Sequence, residues 1–560
     1  MTGRRCRLAL ALALVASTFL LPPASLAGPP RQEGDPPAET TEVQALDAAE
    51  SSSVGRETLR DYPRASVSAS RKEDGADWEV RFFVGERVEA LVIVDPVGAT
   101  VREEWTGDQV AWTMARGYSG AFGRTLNAPW VWIPLCLIFF CGLFDWRRPF
   151  RVAHLDLLAL TAGLGLSHYF FNLGRIDISV PLVYPVLVWL LARMIWLATS
   201  RGGRDPRGGL EPSIPAGVLA IAAVFLIGVR IAFNMADSNV IDVGYAGVIG
   251  GDLISSGRTL YANFPIDIAN GDTYGPLSYF AYVPFELAFP WSGSWDDLPA
   301  AHAAAIFFDL ATMAALFLLG RRLGSGSSGT RLGALLVFAW AACPYTAFAL
   351  ESNTNDSLVA LTVVAILLGV TSAPLRGVLV AFASATKLAP LALVPLFMSG
   401  PRPGSVPHPP TAGSSTSLRL KRFLAPLSMR ESLTYLVGFA LGLLVIFADA
   451  LYDSGPLVIF ERTIGNQVGR DSPFSIWGQF PVLEPLQLFV MAAVSLFALA
   501  VAIRPRFRDT VVLSALAAAV LIAVEITFDH WFYLYLPWFL GPLFVALLAR
   551  NRLVEARKAG

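Results

Sequence analysis

Apolar and polar positions follow three different patterns along the chain. Over residues 77–104 they alternate, in runs such as WEVRFFV and RVEALVIV. Period-two alternation reads as half-buried strands. It predicts two or three strands, with turns at Gly85-Glu86 and Asp95-Pro96-Val97-Gly98. From Trp130 onward the apolar positions merge into runs of about 18–22 residues, the length a helix needs to cross a hydrocarbon core of about 30 Å. Candidate spans lie near 130–145, 154–172, 179–198, 213–234, 302–320, 332–350, 356–371, 374–399, 432–450, 485–503, 509–527 and 531–549. The third pattern is a single shorter run, LALALALVASTFLL, which follows Arg4, Arg5 and Arg7 and ends in ASLA before Gly28. That is the three-part order of a secretory signal peptide; an uncleaved first membrane helix is the alternative.

These patterns divide the chain. Residues 1–27 read as an export signal. Residues 28–60 are rich in Pro, Glu, Ser and Ala without period, and read as a disordered linker. Residues 61–128 form a small α/β extracytoplasmic domain whose strand pair resembles a minimal PepSY-like unit, with a docking or regulatory role implied. Residues 129–212 hold the first membrane helices, and 213–560 hold the larger core. The expected fold class is an all-α polytopic membrane protein of about 12–13 transmembrane helices carrying that small domain.

Composition agrees. Of 560 residues 54% are hydrophobic and 16% charged, against about 25% charged in soluble domains. The net charge of −1 comes with no basic stripe, so no nucleic-acid partner is expected. Cys136, Cys141 and Cys343 lie in apolar runs and read as small buried hydrophobes. Charge position then gives orientation. Basic residues collect around 147–151, 201–207, 321–331, 402–430, 504–508 and 550–558, and are sparse elsewhere. By the positive-inside rule the collected groups face the cytoplasm, provided two stretches do not cross. One is 274–291, interrupted by Pro276, Pro284, Pro290 and Glu286. The other is 374–399, which Thr386-Lys387 and Pro390 break into a hairpin entering from inside.

Candidate chemistry sits in two long polar loops on the opposite, outer side. The loop 235–301 carries Asp237, Asp242, Asp252, Asp267 and Asp272, interleaved with Tyr245, Tyr261 and Tyr274. Carboxylates can take a proton from a hydroxyl, and aromatic faces suit sugar rings. Singly these acids read as solvated or capping residues; as a group they suggest a carbohydrate site. The loop 451–484 carries Arg462, Gln467, Arg470, Ser472 and Trp477. Its arginines suit phosphate through their fork of donors, or anchor at headgroups. Lys387 is the one lysine inside an apolar run, and an ionisable residue there is costly enough to suggest function. His302, Asp309, Glu525 and His530 are weaker candidates. Walker loops, dinucleotide fingerprints, HxxxH and CxxC pairs are missing from the sequence, which argues against an ATPase, a Rossmann-type enzyme and a zinc protease.

The order of short motifs carries a resemblance. Asp242 to Tyr245 reads D-x-x-Y, Gly257 to Tyr261 reads G-x-x-L-Y, then Tyr274-Gly275-Pro276, and far downstream Thr386-Lys387 to Pro390 reads T-K-x-x-P. Over roughly residues 213–549 the chain resembles glycosyltransferase family 87 and its relatives, membrane transferases of the C-type fold. Tyr-Gly-Pro stands here where that family often has Tyr-Pro-Pro. The resemblance implies a polyprenyl-phosphate-linked sugar donor of the mannose or pentose class, a glycolipid or polysaccharide acceptor at the outer face of a bacterial cell membrane, and no metal or cofactor. It implies Asp242, with Asp237 as its substitute, as the base. Lys387 becomes a contact of the leaving phosphate. The residue reading adds Tyr245, Asp252, Tyr274, Arg462, Gln467, Arg470 and Trp477 as substrate contacts. A transporter or flippase of an amphipathic solute, or a noncatalytic envelope assembly protein, would account for the same spans.

Overall fold

A computed structural model describes residues 39–71, 77–85, 87–116, 124–199, 208–265, 268–293, 295, 298–401, 429–465, 472–504 and 509–549. The expected export signal lies outside these residues. The chain divides into two compact units, 1–111 and 112–560.

The first unit is a four-stranded antiparallel sheet, β1 (Ser66–Arg71), β2 (Trp78–Val84), β3 (Arg87–Val94) and β4 (Val101–Thr106), in the order β1-β2-β3-β4. Both predicted turns are present, with Gly85 at φ +66 and Gly98 at φ +85, the backbone region that favours glycine. The prediction missed β1, whose SVSASR has no large apolar residue to mark its alternation. The linker reading of 28–60 also needs correction, because Glu42–Glu50 and Ser53–Asp61 are helices. The first begins with a capping box of Thr41 and Gln44, which satisfies two otherwise orphaned amides. Its Ala45 and Ala49 pack with Val80, Phe82, Ala90, Val92 and Val94 in one core. Small alanines spread through an acidic segment conceal that face from a compositional reading.

The second unit is helical. By length and composition, five of its described helices can cross a membrane: Ile176–Thr199, Ala216–Ala236, Pro299–Leu323, Met429–Asp453 and Pro481–Ala500. A sixth span results if Gly326–Ala342 and Pro344–Glu351, bent by 60°, count as one. Pro344 explains that bend. It holds Cys343 in an extended conformation, as a residue before proline prefers. Other expected spans hold shorter apolar helices, among them Pro129–Leu143, Asp356–Leu368, Ala373–Ser384 and Thr510–Ile526. Segment 274–291 forms only the short helices Leu277–Phe280 and Val283–Ala288. The 374–399 stretch stops being α-helical at Ser384 and resumes as a 3₁₀ turn over Ala389–Leu393.

Thr510–Ile526 and Leu536–Leu548 are buried on nearly every side, as expected of helices apolar all round. They pack against each other, and Ile176–Thr199, Asp356–Leu368 and Gly326–Ala342 pack on them. Three buried arginines of this unit are paired: Arg193 with Asp156 at 2.7 Å, Arg230 with Asp309 at 2.7 Å, and Arg376 with Glu431 at 2.8 Å.

Candidate functional site

The polar run Glu351–Ser357, ESNTNDS, separates two apolar stretches, and all seven residues are buried. It starts where Pro344–Glu351 ends and runs into the helix Asp356–Leu368. Asn353 sits at φ +50, a left-handed conformation asparagine tolerates. Its side chain is fully used. Nδ2 donates to Ser238 Oγ at 3.0 Å and to the Asn239 carbonyl at 2.9 Å, and Oδ1 accepts from Asn234 at 2.8 Å.

Asn353 also fixes the approach of the helix Asp242–Ser255. Backbone amides of Asn239 and Ile241 donate to Glu351 and Ser352 carbonyls. A Cβ on Gly244 would come within 2.3 Å of the Asn353 carbonyl oxygen, so only glycine permits this contact. The N-terminus of that helix, where Asp242 lies exposed with Oδ1 accepting the Val243 amide at 2.8 Å, is thereby held against the run.

At the other end of the run, Asp356 begins its helix and is 1% exposed. A helix N-terminus favours negative charge. The carboxylate accepts from Lys387 Nζ at 2.6 Å, Trp538 Nε1 at 2.7 Å and Thr354 Oγ1 at 2.5 Å. Lys387 lies among three rings, Nζ being 5.2 Å from the centre of Tyr274, 5.6 Å from Tyr535 and 5.1 Å from Trp538. These are cation–π distances. One ammonium hydrogen goes to Asp356, which leaves two donors for a further acceptor.

Tyr274 reaches Lys387 because its loop docks on the break after Ser384. Gly275 N–H donates to the Thr386 carbonyl, Leu277 N–H to the Ala385 carbonyl at 3.1 Å, and Ser278 Oγ to the Thr386 carbonyl at 2.8 Å. A Cβ on Gly275 would lie 2.2 Å from the Ala385 oxygen. Behind the loop, burial raises the pKa of the Tyr261 phenol. It stays protonated and donates to the Tyr274 carbonyl at 2.9 Å. Asp272, fully buried, accepts the Ala262 amide at 2.7 Å and is gripped by Arg462 at 2.6–2.9 Å. That carboxylate holds the guanidinium above its ordinary pKa.

The structure therefore brings together Tyr274 and Lys387 and sets Asp242 at the same polar run, but it places other expected residues elsewhere. Arg462 closes its fork on Asp272 and the Ala269 carbonyl instead of presenting it as a phosphate contact. Tyr245 is 2% exposed, its ring centre 4.4 Å from that of Trp295 and tilted by 30° to it, so it offers no free face to a sugar. Trp477 is likewise buried, donating to the Ile526 carbonyl at 2.9 Å. Asp252 pairs with Arg258. Asp237 accepts the Thr125 amide at 3.1 Å and lies 3.9 Å from Arg124. Gln467, Arg470 and Asp267 lie outside the described residues. Asp309 belongs to the pair with Arg230, Glu525 accepts from Trp531, and His530 and His302 contact Ser472 and Asn234.

Sequence reasoning missed Asp356, Tyr535, Trp538, Glu351 and Asn355. One signal was present: seven polar residues without Gly or Pro stand between two apolar runs. Both carboxylate oxygens of Glu351 and both amide atoms of Asn355 are buried without a hydrogen-bond partner. Such groups are expensive to leave unmade and call for an explanation. Among the described residues no group of three His, Cys, Asp or Glu side chains is placed to hold a metal ion. No protein-family model matches the chain, and no curated protein matches it at a significant level.

Proposed function

We propose that the chain is a multi-pass membrane glycosyltransferase of the C-type, family 87-like class. It transfers a sugar from a polyprenyl-phosphate donor to a hydroxyl of an extracytoplasmic glycolipid or polysaccharide, at the outer face of a bacterial cell membrane. The observation that carries this reading is Lys387, a buried ammonium held by Asp356 and three aromatic rings with two donors to spare. Under the orientation given by the basic residues, Asp242, Tyr274, Asp356, Lys387 and Trp538 all fall toward the outer ends of their segments.

In the proposed reaction the acceptor oxygen forms a bond to the anomeric carbon as the bond from that carbon to the phosphate oxygen breaks. The electron pair leaves with polyprenyl phosphate, and the hydroxyl proton passes to the Asp242 carboxylate. Charge grows on the departing phosphate. A fixed cation in a water-poor site stabilises it more in the transition state than in the bound donor. Asp356 orients Lys387. Tyr274, Tyr535 and Trp538 exclude water and offer apolar faces. Glu351 and Asn355 supply unpaired polar atoms for acceptor hydroxyls.

The test is transfer from mannosyl- or pentosyl-phosphoryl polyprenol in proteoliposomes. Transfer by the wild type, with loss in a monodisperse Lys387→Met protein, supports the reading. Normal transfer by Lys387→Met removes the site. Failure of the wild type to use any such donor removes the reaction class.

A further inference from the structure

The helices Pro129–Leu143 and Leu164–Asn172 line an open groove of about 700 Å³, remote in sequence from Asp242, Tyr274, Asp356 and Lys387. Its walls are apolar, including Ile133, Leu137, Phe140 and Leu166. It runs from Leu158 to Asn172, about 21 Å of helix at 1.5 Å per residue, or roughly two thirds of a bilayer's hydrocarbon thickness. One end is different. There His168 stacks on Trp132 with ring centres 4.0 Å apart, and its Nε2 lies 3.0 Å from Asn127 Oδ1. His168 is 1% and Trp132 6% exposed. Three atoms at this end are buried without a partner: Trp132 Nε1, His168 Nδ1 and Asn172 Oδ1.

An apolar slot alone would fill with any chain, but this one ends in a specific set of polar atoms. The indole N–H is a donor. The amide oxygen is an acceptor, and with Nε2 donating to Asn127 the imidazole Nδ1 is an acceptor too. The set matches a carbonyl next to a hydroxyl. Among the described residues no Lys or Arg lines the cavity, so nothing in it compensates a phosphate.

We infer that this groove is a binding site for an acylglycerol, one acyl chain lying along the apolar walls, its ester carbonyl accepting from Trp132 Nε1 and its free hydroxyl donating to His168 Nδ1 or to Asn172 Oδ1. The inference rests on the membrane part of the proposed function and not on the transferase part. A membrane protein with no sugar-transfer activity would still carry the site.

Gly165 makes it testable. It lines the groove, and a Cβ there meets nothing within 4 Å, so Gly165→Phe enters the cavity instead of displacing a neighbour. Ala162→Phe, at the exposed rim, is a second blocking variant should the first fail to fold. The probe is a diacylglycerol with a photoactivatable diazirine in its acyl chain, added to full-length protein in phosphatidylcholine vesicles. Labelled positions are read by mass spectrometry. Labelling should concentrate in 129–143 and 158–173, fall several-fold in the blocking variants, weaken in Trp132→Phe, and resist an excess of polyprenyl phosphate. Equal labelling in the wild type and both blocking variants overturns the site. Displacement by polyprenyl phosphate overturns the occupant. Failure of the protein to insert in vesicles overturns the membrane reading, which distinguishes that failure from the other two.

Discussion

Arg230–Asp309 and Lys387–Asp356 are built alike up to a point. Both are buried ion pairs in the helical unit, and in both a tryptophan donates to the carboxylate: Trp340 to Asp309 and Trp538 to Asp356, at 2.8 and 2.7 Å. The cations differ. Arg230 also donates to the carbonyls of Trp340, Ala341 and Thr346 and to Thr346 Oγ1. It ties the bend at Cys343-Pro344 to the helix Ala216–Ala236, and only its Nε is without a partner. Lys387 makes one hydrogen bond and otherwise faces rings. A guanidinium with only Nε unengaged holds elements together. An ammonium with donors in reserve can take a ligand. Burial and pairing alone do not tell a structural ion pair from one that takes a ligand; the proposed site differs from the joint in its count of satisfied donors.

The sharpest way to break this comparison is to remove each cation. Arg230→Met leaves Asp309 buried and frees three carbonyls of their donor. Removing one partner of a buried pair costs about 3–5 kcal/mol, so the variant should unfold or aggregate on extraction. Arg230→Met with Asp309→Leu should recover much of the stability, because the uncompensated charge goes with it. Thermal unfolding in detergent measures both. A normally stable Arg230→Met protein would mean that the pair is not the joint described.

Lys387→Met should behave differently. It costs stability through Asp356, and on the proposed function its larger effect should be on transfer, which should fall by about 10²–10³-fold, as for loss of one preorganised transition-state donor. The double variant Lys387→Met with Asp356→Leu should regain its melting temperature and not its activity. Recovery of both would make the pair structural like the first. Lys387→Arg should recover transfer only in part, since the planar fork cannot reproduce the ammonium's position.

Gly275→Ala probes how Lys387 is presented. The added methyl would meet the Ala385 carbonyl oxygen, so the Tyr274 loop must lift from the turn that carries Lys387. Overpacking of this kind costs about 1–3 kcal/mol. Transfer should drop while the Arg230 joint, and so the helical unit, keeps its cooperative melt. An unchanged transfer rate would show that the loop need not touch the turn.

The same contrast explains what the sequence made legible. Long apolar runs predict helices because their burial is local, and the breaks at Pro276, Pro284 and Thr386-Lys387 fell where expected. Lys387 was readable because a lone lysine in such a run is anomalous by itself. Asp356 was not, since its meaning comes from Lys387, 31 residues on, and Trp538, 182 residues on. Arg462 and Tyr245 misled for the converse reason. Their chemistry suits phosphate and sugar, but Asp272 and Trp295 occupy it, and no spacing rule announces those partners. β1 and the helices of 42–61 were lost because few and mostly small residues carry their inward faces: Val67 and Ala69 in the strand, Ala45 and Ala49 in the first helix, Gly55 and Thr58 in the second.

The smallest expected effect comes from an ion pair at the surface. In the sheet unit, Asp95 Oδ1 accepts the Val97 amide at 2.7 Å, and Oδ2 accepts from Arg102 Nε at 2.8 Å. The amide first, and the guanidinium second, hold this carboxyl below its ordinary 3.8. A depressed acid pKa means that the folded state favours the carboxylate. Its contribution to stability is present above the ordinary value and fades as pH falls through the folded one. Asp95→Asn keeps an acceptor for Val97 and removes only the charge. Peptides covering β3 and β4 should therefore exchange amide hydrogens slightly faster in Asp95→Asn than in wild type at neutral pH. The gap should close as the pH drops below about 4. Salt should narrow it as well, because exposed pairs are screened. A gap that persists in acid would assign the effect to altered turn geometry and not to charge. A similar acid collapse at the buried Arg230–Asp309 joint would erase the distinction between exposed and buried pairs.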